Sequence, residues 1–229
     1  MSWFLSSLLL TLWAAPSPLL DYQQMEKLKE KIRGLIVSIE VSPKPLSGMN
    51  PDYVAKRFGQ GVCLELPGGK KRILVSQFLV EDAASLRVKA HGGKWVTAQT
   101  DTHSQELAVH FLRVDQDQWN CPLVSLAPPE MIREKALVFS VDNPEEQPNI
   151  FWGFVESFAE VPVNEFLLST TGLPLSYPLF DSEGRLVAMN LRVYADRANI
   201  YLAVSAEQLR KTFFPKKVPA PKSPKSPTP

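Results

Sequence analysis

The sequence has 229 residues, 45% of them apolar and 21% charged, too apolar for wholesale disorder and sufficient for a sizeable core. Its 25 Lys and Arg nearly balance 24 Asp and Glu, so the basic surplus that a dedicated nucleic-acid binder needs is missing. Two cysteines exclude a small disulfide scaffold, and 11 glycines leave few places where backbone N–H groups can lie bare against a substrate.

The chain opens, over residues 1–17, on an apolar run from Trp3 to Ala15, closed by Pro16, Ser17 and Pro18. The run is too short to cross a ~30 Å hydrocarbon layer comfortably as a helix, and it fits the hydrophobic region of a secretory signal. Export to a periplasm or the exterior is the expectation. A core helix or strand, or a membrane anchor retained through residues 3–15, are the other readings. Residues 18–34 predict a helix: Asp21 caps it, and Met25, Leu28 and Ile32 recur at helical spacing among charged residues.

Strands follow from residue 35. The β-branched run Leu35 to Val41 stops at Pro43 and Pro45. Val62 to Leu66 turns at Pro67-Gly68-Gly69 into Arg72 to Ser76, and Leu86 to Ala90 turns at His91-Gly92-Gly93 into Lys94 to Ala98. Leu107 to Leu112 completes a first β unit over residues 35–118. A second, over 119–211, takes Leu123 to Leu126, Lys135 to Val141, Ile150 to Val155, the hairpin Leu179 to Met189 around Asp181-Ser182-Glu183-Gly184, and Ile200 to Val204. Ser205 then caps a terminal helix through Lys211. Repeated hairpins at this spacing argue an antiparallel barrel or sandwich. Residues 212–229 form a Pro/Lys tail without an acid, too poor in apolar side chains to fold alone. Its charge suits an anionic surface, and a plain spacer is the simpler reading.

The order of these segments resembles the protease domain of the HtrA (Deg) family of trypsin-like proteins. Gly59-Gln60-Gly61-Val62 is similar to that family's Gly-Ser-Gly-Phe, and Ile73 to Val80 lies where it reads Ile-Leu-Thr-Asn-Ala-His-Val-Val. Glu106-Leu107-Ala108-Val109 stands for Asp-Leu-Ala-Val, and Asn143-Pro144 for the end of Gly-Asn-Pro. Pro178 to Asn190 follows Gly-Gly-Pro-Leu-hairpin-Gly-Ile-Asn, and Leu202-Ala203-Val204-Ser205 resembles Phe-Ala-Ile-Pro. The likeness runs from about Leu35 to Lys211. It implies an all-β fold: a trypsin-like double antiparallel β-barrel with a C-terminal helix and a short N-terminal helix.

The departures fall on the chemistry. Such a protease needs an imidazole base, an acid to orient it, an activated hydroxyl and two N–H groups for the oxyanion. The resemblance puts Phe78 at the histidine position, Glu106 at the aspartate, Leu175 at the serine and Leu173 at the oxyanion glycine. A phenyl ring takes no proton, and Leu173 and Pro174 restrict a loop that glycine would leave free. The expectation is a chain without serine-protease activity that binds a protein or an extended peptide, through a cleft patch of Phe78, Leu173, Leu175 and Tyr177. In the competing reading these side chains merely fill the vacated slot as core.

The alternative is a hydrolase with displaced residues, Ser176 and His110. Ser176 lies one step from the nucleophile position, and a one-residue slip in extended chain reverses the face. His91, His103 and His110 read as solvated or edge histidines, and with Glu106 they match no metal motif. No cofactor, metal or nucleic acid is expected. Membrane contact is available to the N-terminal segment or the basic tail. Cys63 and Cys121 pair if the chain is exported, while Cys63 reads equally well as a small buried hydrophobe. The family's PDZ module has no room after Lys211, and no trimer contact can be carried over.

Overall fold

The computed structural model describes residues 20–45, 54–115, 119–161, 164–170, 176–193 and 200–215. The apolar run Trp3 to Ala15, Leu173, Leu175 and the tail 216–229 lie outside the described residues. Helix α1 (Tyr22–Leu35) starts on the expected cap: the Asp21 carboxylate accepts the Gln24 N–H at 2.8 Å, and the Asp21 N–H donates to the Gln24 side chain at 2.9 Å. Leu28 and Ile32 are its buried residues.

Six strands then close a barrel. They are β1 (Ile36–Pro43), β2 (Arg57–Leu66), β3 (Lys70–Ser76), β4 (Ala83–Ala90), β5 (Val96–Ser104) and β6 (Val109–Arg113), in the order β1-β2-β3-β6-β5-β4. A single helical turn, α2 (Gln77–Val80), separates β3 from β4. The turn residues do what their chemistry predicts: Gly68, Gly69 and Gly92 take positive φ at the two hairpins. Alternate side chains of β1 (Val37, Ile39, Val41) meet Cys63, Ile73, Val75, Val88, Ala98 and Leu112 in a core fed by every strand of this barrel.

The second barrel contains β7 (Leu137–Asp142), β8 (Asn149–Val161), β9 (Asn164–Ser169), β10 (Pro178–Phe180), β11 (Leu186–Val193) and β12 (Tyr201–Ser205), in the closed order β10-β11-β12-β9-β8-β7. Helix α3 (Ala206–Phe213) follows, capped by Ser205 as expected. The all-β, double-barrel expectation holds, with two corrections in the second half. Leu123 to Leu126 is not a strand. It makes two isolated parallel bridges, Leu123 to Cys63 and Leu126 to Leu186, so it straps one barrel to the other. Pro122, Pro128 and Pro129 around it lack the N–H groups that a ladder requires. The sixth strand is instead β9, which pairs with β8 and β12.

Cys63 and Cys121, left open by the sequence, form a disulfide with Cα atoms 6.1 Å apart, tying β2 to the linker between barrels. A third set of buried side chains joins the halves: Leu28 and Ile32 of α1, Val62, Leu74 and Phe111 of the first barrel, Phe139, Phe180 and Met189 of the second, and Leu209 of α3. Among the described residues no helix is long and apolar enough to cross a membrane.

Candidate functional site

The chain leaves β3 at Ser76 and makes one helical turn, which lifts Phe78 out of the sheet at the edge facing the second barrel. Its ring is half-buried against the core shared by both barrels. The guanidinium of Arg192, from the end of β11, lies over that ring at 5.2 Å from its centre. A cation over the π face is an attractive arrangement. Nothing in this pair takes up a proton near neutral pH, because a guanidinium stays charged and a phenyl ring has no lone pair.

Glu106 stands exposed in the turn between β5 and β6. That turn touches α2 through its backbone: the Gln77 N–H donates to the Ala108 carbonyl at 2.8 Å, with Ala108 in the left-handed region at φ 52°. Phe78 and Glu106 are thus on adjoining segments.

Ser176 is fully buried and has φ 59°, a conformation that normally favours glycine. Every polar group it owns is committed to the seam between the barrels. Its hydroxyl donates to the Gln60 carbonyl at 2.7 Å and accepts the Ser76 N–H at 3.1 Å. Its own N–H donates to the Asn190 carbonyl at 3.1 Å, and its carbonyl accepts the Gln60 N–H at 3.1 Å. Asn190 extends the seam by accepting the Ser169 hydroxyl at 2.8 Å, and the Gln60 side-chain amide reaches the Val141 carbonyl at 2.8 Å. These buried groups are paired because leaving them unpaired would carry the full desolvation cost.

His110 is not Ser176's partner. Its ring stacks on His103 with centres 5.4 Å apart, and its Nδ1 has no hydrogen-bond partner among the described residues. Burial, and then the charge of His103, hold its pKa below the ordinary histidine value, while Glu81 acts the other way. His91 faces Glu145 instead, with Nδ1 at 3.8 Å from the carboxylate. The three histidines therefore do not converge, and among the described residues no group of three or more His, Cys, Asp or Glu is placed to hold a metal ion.

Tyr177 lies apart from Phe78. It lines a cleft of about 510 Å³ on the other side of the Ser176 seam, a cleft that Phe78 does not line. Its hydroxyl donates to the Asp142 carboxylate at 2.6 Å. Burial, followed by that hydrogen bond, pushes the phenol well above its usual pKa, so it stays protonated. The expected patch is therefore divided between its two described members, Phe78 on α2 and Tyr177 ahead of β10, while Leu173 and Leu175 lie outside the described residues. Sequence reading missed Arg192, Gln60 and Asp142. The glycines flanking Gln60 were the available signal: a Cβ at Gly61 would come within 2.7 Å of the Leu74 carbonyl, so only glycine lets β2 approach there.

No protein-family model and no curated protein matches the sequence. Solved structures do. An HtrA-type protease, AlgW, in a serine-to-alanine form with a decapeptide, is similar at a TM-score of 0.61 and 14% identity, over 80% of this chain and 63% of that one. The same protease with a tripeptide gives a TM-score of 0.64 and 14% identity, over 81% of this chain and 61% of the other. This chain thus spans less than two thirds of the length of those it matches. The likeness shows the fold: a trypsin-like double barrel of the kind HtrA-type proteases have.

Proposed function

We propose that this chain is a pseudoprotease: an HtrA-like double barrel without catalysis, working as an exported protein-binding or scaffold module. One observation carries the reading. Where the resemblance calls for an imidazole base, Phe78 stands under the Arg192 guanidinium, an arrangement that cannot shuttle a proton. Two others support it. The sequence has Leu175 at the nucleophile position, and the neighbouring Ser176 hydroxyl is buried and already bonded on both sides. The paired Cys63 and Cys121 favour an oxidising compartment, in keeping with the apolar run at residues 3–15.

The partner class is an extended peptide or a protein segment. Both solved structures hold peptides, and an extended peptide laid in the cleft between the barrels binds through its backbone hydrogen bonds. A fluorophosphonate probe tests the loss of catalysis: the purified protein stays unlabelled, and stoichiometric labelling that disappears in Ser176→Ala overturns the reading. A peptide-library pull-down tests the binding face. Phe78→Asp and Leu175→Asp each lose captured peptides, and undiminished capture by both rejects binding at this slot.

A further inference from the structure

The cleft behind the Ser176 seam has a lining of one charge sign. Asp142, Glu145 and Glu146 are its charged members, with no lysine or arginine among the residues that line it. Glu145 is paired with Lys89 at 2.5 Å and Asp142 holds the Tyr177 hydroxyl, whereas Glu146 has no partner among the described residues. The other wall is aromatic. Phe58 is 64% exposed, with Tyr177 beside it and Trp95 already under the Arg87 guanidinium, 5.5 Å from its ring centre. Gln60 lines the same cleft. It is 3% exposed, and its Oε1 is buried with no hydrogen-bond partner while its Nε2 is fixed on Val141. An unpaired buried acceptor below a rim of carboxylates and rings calls for a segment that brings cationic N–H donors on apolar stems.

We propose that this cleft receives the lysine–proline segment 216–229 of the same chain. The segment carries Lys216, Lys217, Lys222 and Lys225 and no acid, so its charge is complementary to the lining. Prolines at 219, 221, 224 and 227 favour the extended polyproline conformation, which aromatic-lined grooves recognise at little ordering cost. Its starting point is close enough. Phe214 lines a second cavity together with Leu64 and Glu65 of β2, and Gln60 lies on that same strand, about 13 Å away at ~3.3 Å per residue. Residues 216–229 in polyproline form span roughly 43 Å, more than that separation requires. The cleft is separate from the Phe78 slot, so this inference does not rest on the loss of catalysis or on peptide binding there.

Carbodiimide coupling of the full-length protein, followed by proteolysis and mass spectrometry, tests it. Docking places isopeptide links between Lys222 or Lys225 and Glu146, Glu145 or Asp142, within monomers and independent of protein concentration. High salt suppresses them. Phe58→Ala, at an exposed ring whose loss leaves the core intact, lowers the initial coupling rate to these carboxylates about fivefold, the effect of losing one ring contact. Three results each overturn the proposal: tail links spread without preference over carboxylates elsewhere, links found only in dimers, or a coupling rate indifferent to Phe58→Ala. Dimer-only links would instead assign the occupant to a second copy.

Discussion

Replacing Ser176 by alanine separates a structural hydroxyl from a catalytic one. The substitution deletes the acceptor for the Ser76 N–H and the donor to the Gln60 carbonyl, in a place sealed from water. An orphaned buried N–H costs about 1–3 kcal/mol, and the second lost bond adds about 1 kcal/mol. A total near 3 kcal/mol is expected, since alanine keeps a Cβ in the left-handed region and gains nothing there. For a chain of this size that corresponds to a melting temperature roughly 9 °C lower. Ser176→Gly loses the same two bonds but relieves a left-handed strain of about 1–2 kcal/mol, so it falls between parent and alanine. Differential scanning calorimetry and urea titration read the series. If Ser176→Ala is as stable as the parent to within about 0.5 kcal/mol, or the glycine variant is the weaker of the two, the seam does not work as described.

Three further outcomes are expected. Removing the disulfide with Cys63→Ser and Cys121→Ser opens a loop of 58 residues, worth about 4 kcal/mol in chain entropy; a urea midpoint unmoved by the double substitution contradicts this. Gly61→Ala drives a Cβ within 2.7 Å of the Leu74 carbonyl, a backbone atom, while Gly59→Ala meets the side-chain end of the buried Leu79, which can change rotamer, so the first costs about 1–3 kcal/mol and the second less in the same titration. His110 sits below its ordinary pKa, so the unfolded chain binds its proton first. The stability it contributes is complete above the unfolded value of 6.5 and is lost as pH falls through the lower folded value. His110→Gln should therefore flatten the fall in melting temperature between about pH 7.5 and about pH 5.5, and an unchanged slope would refute it.

Much of the fold was legible because its signals are local. Alternating apolar residues, Pro-Gly-Gly and Gly-Gly turns, and Asp21 and Ser205 before helical runs each specify a few neighbouring residues. Eleven of the twelve strands overlap an apolar run read in this way, β9 being the exception. The two misplacements have one cause. Leu123 to Leu126 has strand composition but exchanges its hydrogen bonds with both barrels, whereas β9 gains its place from β8 and β12 on either side.

The sequence by itself determined which atoms stand at the positions that the resemblance assigns to the slot: carbon at Phe78 and Leu175, where the proposed reading finds nitrogen and oxygen missing. Only the tertiary structure decided what those atoms and their neighbours touch. Arg192 over Phe78, the Ser76 N–H on Ser176 a hundred residues away, Gln60 on Val141 and the separation of Tyr177 into a second cleft all join parts of the chain far apart in sequence. The reason is physical. A residue's own neighbours set its dihedral preferences and its face, but hydrogen bonds and packing across two closed barrels depend on a register and a docking angle that arise from the whole chain at once.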